Sequence, residues 1–343
     1  MRINMKTKNV LILILLMSVS IILITFSSEA KAGAAEGLAL AQNTIIPSLT
    51  PLLIIFFIIM KTGAKDILSK VLGFICAYIF NLPQVTFPAI FFGLIGGYPT
   101  GALLTGELFS NGEIDEKQAH RLLRFNFCGG CGFIITALGT SILNSSKAGW
   151  ILFISNALSA VIIGFFLSFS EKRKPQDYYS YTEEKSFGDA LIESTDSAVK
   201  SVLNITAFII LFSAIHKTLP IPQELTPIIE ITNGICTRNS YSLAHTSAYL
   251  AFGGLCIHCQ LLPIISNVKM KYWDFFLFRV ISAFLSCGIT KFILYLSPLE
   301  TSVFSNISIS VAHLSSINLA LSILMIAGCF ILIMDIRSKK KIV

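Results

Sequence analysis

Long runs without a single charged residue dominate this chain: Asn9 to Ser28, Gly37 to Met60, Val71 to Gly106, Phe125 to Ser146, Ala148 to Ser170, Ser201 to His216, Asn239 to Val268 and Thr301 to Met334. Each approaches or exceeds the roughly 20 residues that a helix needs to cross a hydrocarbon layer. The same scarcity excludes a water-soluble fold, because 26 Lys or Arg and 19 Asp or Glu make only 13% of 343 residues, too few to cover its surface. Disorder is excluded by 27 Phe and 9 Tyr, which cannot all stay solvated. The chain therefore reads as an all-α polytopic membrane protein.

Basic residues orient the spans, because Lys and Arg accumulate in cytoplasmic loops. Arg2, Lys6 and Lys8, the three Lys of 61–70, five Lys or Arg in 171–200, Lys269 with Lys271, and four in 337–341 give 17 basic residues on one side. Adding Lys117, Arg121 and Arg124 gives 20, and the opposite loops hold Lys31, Lys147 and Lys217, with Arg238 at the end of an apolar stretch on that side. Both termini are expected in the cytoplasm, in a multi-pass protein of the cell membrane. The net charge of +7 is a signature of topology, and no nucleic-acid partner is expected from it.

Eight crossings satisfy this partition: Val10 to Phe26, Thr44 to Met60, Arg121 to Leu143, Ala148 to Phe169, Ser201 to Lys217, Leu243 to Ser266, Trp273 to Ser297 and Ile317 to Met334. Two apolar stretches remain. Val71 to Phe109 contains Pro83, Pro88, Gly96, Gly97, Pro99 and Gly101, and both its ends must be cytoplasmic. Leu219 to Arg238 contains Pro220, Pro222, Pro227 and Gly234, with both ends on the outer side. Each is expected to be a broken re-entrant hairpin, a shape tolerated at membrane depth only inside protein or around a watery cavity. The basic N-terminal run precedes an apolar core of 17 residues, longer than the usual secretion signal, so it is expected to be an uncleaved anchor despite the small residues of Ala30-Lys31-Ala32.

Thr44 to Phe169 and Ser201 to Ser297 follow one plan: a span, a broken hairpin, a span near a double glycine, and another span. The first span runs inward in one half and outward in the other, the inverted repeat of secondary transporters. The expected organisation is an anchor over 1–36, a first repeat over 37–170, a charged cytoplasmic loop over 171–199 with a surface helix from Ser186, a second repeat over 200–298, and a final helix with a basic tail over 299–343.

Several stretches carry a resemblance. They are Gly37-Leu38, Ile46 to Leu52, Gly93-Leu94-Ile95-Gly96-Gly97-Tyr98-Pro99-Thr100-Gly101-Ala102, Asn111 to Ile114, Ala119 to Leu123, Phe133 to Ile135 with Gly139, Glu230-Ile231-Thr232-Asn233-Gly234, and Phe252 to Gln260. In this order, from about Gly37 to Tyr295, the chain resembles the sporulation integral membrane protein YlbJ family, built on the nucleoside-recognition or Gate domain. Similar Gate halves occur in concentrative nucleoside transporters, in the membrane part of the ferrous-iron transporter and in spore maturation proteins. The resemblance implies a Gate-type, non-enzymatic transporter or channel for a small polar solute, nucleoside-like or an ion, with a role in endospore formation. Where the family carries an Asn-rich segment ending in Gly-Pro, this chain has Asn126-Phe127-Cys128-Gly129-Gly130-Cys131, so amide donors and acceptors are lost.

The expected solute site gathers Gly97, Tyr98 and Thr100 at the first break, Asn126, then Glu230, Thr232, Asn233 and Gly234 at the second, and Gly253, Gly254, His258 and Gln260 beyond it. Broken helices aim half-helix ends at a solute, and an ionisable residue such as Glu230 is costly inside a bilayer unless it has a task. Glu230 could equally cap its own hairpin, and His258 could simply bond a neighbouring helix. Arg279 and Lys291 read as snorkelling side chains. Cys128-x-x-Cys131 and Cys256-x-x-Cys259 lie at comparable places in the two halves and raise a tetrahedral metal site as a further possibility, against buried cysteines that merely pack. No resident cofactor is expected; the lipid bilayer is the obligate partner, and a homo-oligomer is compatible.

Overall fold

In the computed structural model, residues 5–169, 185–219, 225–236 and 241–298 are described, so the expected span Ile317 to Met334, the basic tail and most of the charged loop lie outside the described residues. The described part is all-helical. α1 is Met5–Thr25, and α2 (Ser27–Leu40) runs through a π-helical turn, Ala41–Ile45, into α3 (Ile46–Lys61). Then come α4 (Ala64–Leu72), a π-helical turn Cys76–Phe80, α5 (Phe87–Gly96), α6 (Thr100–Ser110), α7 (Glu116–Phe125), a π-helical segment Gly132–Ile142 and α8 (Ser146–Ser168). The second half holds α9 (Phe187–Thr218), α10 (Thr226–Ile229), α11 (Ile231–Cys236), α12 (Leu243–Phe252), α13 (Gly254–Asn267) and α14 (Tyr272–Leu296). Five helical segments among the described residues are long and apolar enough to cross a membrane: 27–61, 146–168, 187–218, 243–267 and 272–296.

Three expected spans, at α8, α12–α13 and α14, match within a few residues. Others are redrawn. The stretch between the first two expected spans is helical, because Gly33 and Gly37 press against α9 so closely that a Cβ on Gly33 would lie 2.5 Å from the Ser213 carbonyl. Ser186 does start a helix, its Oγ accepting the Asp189 amide, but that helix continues into the span as one piece of 32 residues. The expected crossing Arg121 to Leu143 is interrupted over 126–130, and Leu243 to Ser266 is interrupted at Gly253.

The helix-broken stretches fold back on themselves. Gly101 Cα would stand 2.7 Å from a Cβ on Gly93, which brings α6 against α5. At Gly234 a Cβ would come within 2.5 Å of Pro227 N, which brings α11 against α10. The first turn uses Gly97 at a φ of +83°, which glycine adopts without strain, whereas the second turns at Glu230 in extended backbone. Around them packs one apolar core drawn from α3, α5, α6, α7, α9 and α13, with Phe56 stacked on Phe92 at 4.3 Å.

Polar clasps tie the ends of the helices. α2 and α9 meet where Lys217 Nζ lies 2.7 Å from Glu36 Oε1, and the other end of the same helical pair is closed by Lys61, 3.7 Å from Glu193 and donating to Ser197 Oγ. Lys65 and Glu113 form a buried ion pair at 2.6 Å, and Arg124 pairs with Asp274 at 2.6 Å. Mid-helix, α8, α12 and α14 are stitched by hydroxyls and an amide: Asn156 Nδ2 donates to Ser247, whose Oγ is 2.6 Å from Ser286 Oγ. Such bonds are modest within membranes, so Ser247→Ala should cost only about 0.6 kcal/mol, read as a small Tm shift of the purified protein.

Candidate functional site

Four interruptions of helix, two from each half, come together. Tyr98 N–H donates to Cys128 O at 2.7 Å, joining the α5–α6 turn to the unwound segment 126–130. A Cβ on Gly97 would lie 2.2 Å from Gly130 N, so two backbones touch there with no room for a side chain. Phe127 projects onto Gly253, where a Cβ would meet its ring at 2.5 Å, and a Cβ on Gly254 would lie 3.2 Å from Ile231 N and Pro227 O. Both Gly253 (φ +89°) and Gly254 (φ +70°) hold conformations that glycine adopts without strain.

Between these interruptions lies a cavity of about 70 Å³. Its walls come from α3 (Ser48, Leu49), the first turn (Gly96, Tyr98), Gly130 and Phe133, α9 (Ile205, Ile209), the second turn (Glu230, Thr232) and α13 (Cys256, Gln260). Glu230, only 1% exposed, sits between α10 and α11 and its Oε1 accepts the Thr232 amide at 3.0 Å. Its backbone carbonyl accepts from Gly234 N, so the residue caps its own break and also presents a carboxylate to the cavity. Gln260, 5% exposed, donates from Nε2 to Cys256 Sγ at 3.5 Å, while its Oε1 and the Tyr98 hydroxyl are buried without a protein partner.

The expected site residues thus separate into three groups. Tyr98, Glu230, Thr232 and Gln260 line the cavity. Gly97, Gly234, Gly253 and Gly254 form its backbone frame, and Asn233 lies on α11 beside them. Thr100, Asn126 and His258 stand behind the wall. Asn126 Nδ2 donates to Ala89 O at 2.9 Å and Gly101 O at 3.3 Å, holding α5 to α6. Asn126→Ala should therefore cost about 2 kcal/mol, seen as earlier thermal unfolding in detergent.

His258 departs from expectation: Nε2 bonds the Phe252 carbonyl at 2.9 Å, which the break at Gly253 leaves without a helical donor, and Nδ1 faces Tyr272 Oη at 3.1 Å. Both ring nitrogens are occupied inside a cage of Phe127, Phe252, Phe275 and Phe276. The cysteines depart too. Cys128, Cys131, Cys256 and Cys259 are not gathered into a ligand set, and among the described residues no three His, Cys, Asp or Glu side chains converge as metal ligands. Cys128 is spent on the Gly129 carbonyl, at 3.3 Å, and Cys256 receives the Gln260 amide, so each behaves as a packing residue of its own wall.

Ser48 on α3 and Ile205 and Ile209 on α9 were not anticipated; apolar wall residues carry no signal in a chain that is apolar throughout. Arg279 was read as snorkelling and instead is wholly buried, donating to Phe127 O at 3.2 Å and to Arg124 O and lying 4.5 Å over the Phe127 ring. It places a cation at the negative end of α7.

The chain is 23% identical to the sporulation integral membrane protein YlbJ of Bacillus subtilis, over 71% of this chain and 72% of that protein. It is a homologue of YlbJ. The relationship and the apolar helices together make it an integral membrane protein related to a sporulation protein. No family model and no solved structure matches the chain.

Proposed function

We propose that this protein is a non-enzymatic transporter or channel of the cell membrane that acts in spore formation, passing a small polar solute or ion through the cavity beside Glu230. The observation that carries the reading is the convergence of four helix breaks, two from each half, on one cavity with a buried carboxylate. Unwound backbone at such depth is tolerated only inside protein or around a watery cavity, and paired breaks in an inverted repeat are how secondary transporters build a solute path.

On this reading α5–α6 and α10–α11 are re-entrant hairpins, both termini are cytoplasmic, and the spans number about eight. The polar ties support it. Lys61 with Glu193, Lys65 with Glu113 and Arg124 with Asp274 join loops that the basic-residue rule puts inside, whereas Glu36 with Lys217 and Lys147 with the Pro298 carbonyl join loops that it puts outside. YlbJ is a sporulation protein by name, and that role is carried to this chain as part of the proposal.

Glu230→Ala should insert normally and fail to support flux in proteoliposomes challenged with a panel of nucleosides and ions. Wild-type flux from that variant would remove Glu230 from the path. In a deletion strain, heat-resistant spores restored by Glu230→Ala as fully as by the parent would favour a structural part of the spore envelope that moves nothing.

A further inference from the structure

The segment that joins α3 to the first hairpin has its polarity reversed. α4 and the π-helical turn Cys76–Phe80 form nearly one rod, since Gly73 N–H donates to Ser69 O at 2.8 Å and Ala77 N–H to Gly73 O at 3.2 Å. The buried side of the rod is Lys65, Ser69, Gly73, Cys76 and Phe80. Its outward side carries Ile67, Val71, Phe74 and Tyr78, spaced four, three and four residues apart and 67, 61, 50 and 70% exposed. A helix beside water turns its apolar stripe inward and its charges out. Here the lysine is inside and the apolar and aromatic stripe is outside.

Both ends of the rod lie on one side of the molecule. At its start Lys65 pairs with Glu113, in the turn between α6 and α7. At its far end Arg121 donates to the Phe80 and Asn81 carbonyls, and Asn81 Nδ2 donates at 3.4 Å to the carbonyl of Ser168, the last residue of α8. α7 and the segment Gly132–Ile142 lead away from the first of these places and α8 leads back to the second, so the two share a side. From Ala64 to Phe80 the rod rises about 24 Å, and a rod of that length with both ends at one face runs along the face.

We infer that residues 64–80 form an in-plane helix whose outer edge, Ile67, Val71, Phe74 and Tyr78, is seated in the acyl region of the cytoplasmic leaflet and fastens the base of the α5–α6 hairpin to the bilayer. The first hairpin is then α5 and α6 with the short turn before them, and not the whole of Val71 to Phe109. Gly73 seats the rod on that turn, where a Cβ would come within 2.6 Å of Gln84 Cβ. Lipid suits the stripe better than protein does, because four side chains are far from the roughly 20–30 residues a side of a stable protein interface. The stripe also leads onto a lipid-facing surface. Its far end packs on α8, where a Cβ on Gly164 would lie 2.8 Å from the Phe80 ring, and Phe166 and Phe169 are exposed there at the end of a helix long and apolar enough to cross the membrane. The inference uses the proposed orientation and holds whatever the cavity passes.

The test is depth-dependent quenching in the full-length protein. Ile67→Trp, Val71→Trp, Phe74→Trp and Tyr78→Trp are made one at a time with Trp150→Phe and Trp273→Phe, which leaves a single emitter in each. Each variant is placed in nanodiscs of phosphatidylcholine brominated at a shallow or a deep position of the acyl chain. An in-plane helix lies roughly 5–10 Å into the boundary between headgroups and acyl chains, so all four should lose fluorescence, more to the shallow bromine than to the deep one, and by the same ratio at 67 as at 78. A rod entering the membrane end-on would carry the emitter about 16 Å deeper between those positions. A ratio that climbs along the four positions overturns the inference, and so does the absence of quenching at 71 and 74, the result expected if cytosol or a second copy covers the stripe. Should the background without native tryptophan not fold, the same four substitutions in the native sequence, read as quenching beyond that of the parent, decide the question. No flux is measured, so failure here leaves the proposed transport standing, and a Glu230→Ala variant with full flux leaves this inference standing.

Discussion

Gly97→Ala should be among the most damaging single methyl groups that can be added to this protein, costing about 3 kcal/mol or more. Two effects add. A non-glycine residue at φ +83° pays about 1–2 kcal/mol for the backbone conformation alone. The new Cβ would also lie 2.2 Å from Gly130 N, a backbone atom that cannot swing aside as a side-chain tip would. The turn between α5 and α6 and the segment 126–130 would have to separate, breaking the Tyr98 to Cys128 bond and opening the wall of the cavity. Gly112→Ala is the control, since Gly112 has a φ of +72° with nothing within 4 Å of its would-be Cβ. Thermal unfolding in detergent should show a small loss at Gly112 and a large one, or failure to recover folded protein, at Gly97. Equal losses would mean that backbone strain and not the close approach governs the site.

Arg279→Leu should cost about 3 kcal/mol, and Arg279→Lys should recover only part of it. The guanidinium reaches the Arg124 and Phe127 carbonyls together and lies 4.5 Å over the Phe127 ring. Leucine would leave the end of α7 without donors in a place where water has no access, and each unmet buried carbonyl is expensive. Relief of burying a charge offsets some of this, which is why the effect stays below the sum of the lost contacts. Lysine keeps the charge but offers a point where a fork is needed. Tm of the purified variants measures the order, wild type above Lys above Leu. Because Phe127 also covers Gly253, both variants should loosen the contact between the two unwound segments, read as faster amide exchange over 126–130.

The legible parts of the structure were those where composition changes abruptly. α8 follows a charge-free run bounded by polar residues, α14 an apolar run that holds only Asp274, Arg279 and Lys291 as charges, and the turn at 97–99 follows from glycines and a proline clustered inside an apolar run. Glu230 was visible because a carboxylate inside such a run is rare. What the sequence hid was decided by pairing at a distance. Glu29, Lys31 and Glu36 suggested a loop, yet α2 is helical because its small residues nest against α9, a fact written half in 27–40 and half in 209–217. Gly253 and Gly254 were read as solute-site residues inside one span, and nothing local says that Phe127 would need that space. His258 was read into the solute site because its aromatic cage is assembled from three separate stretches of chain.

The two clasps on the α2–α3 and α9 pair set a scale for the whole molecule. Twenty-five residues lead from Glu36 to Lys61 and twenty-four from Glu193 to Lys217, so at 1.5 Å per residue each path rises about 36–38 Å. That exceeds the hydrocarbon thickness of about 30 Å and falls short of the roughly 40–45 Å that includes both headgroup layers. On the proposed orientation each clasp belongs in a headgroup layer, and the pair would act as a ruler for how deep the protein floats. Ser48 and Leu49 are the halfway marks on one edge of that ruler and Ile205 on the other, and all three are walls of the cavity. On the proposed reading, the carboxylate of Glu230, which lines the same cavity, belongs near the middle of the bilayer.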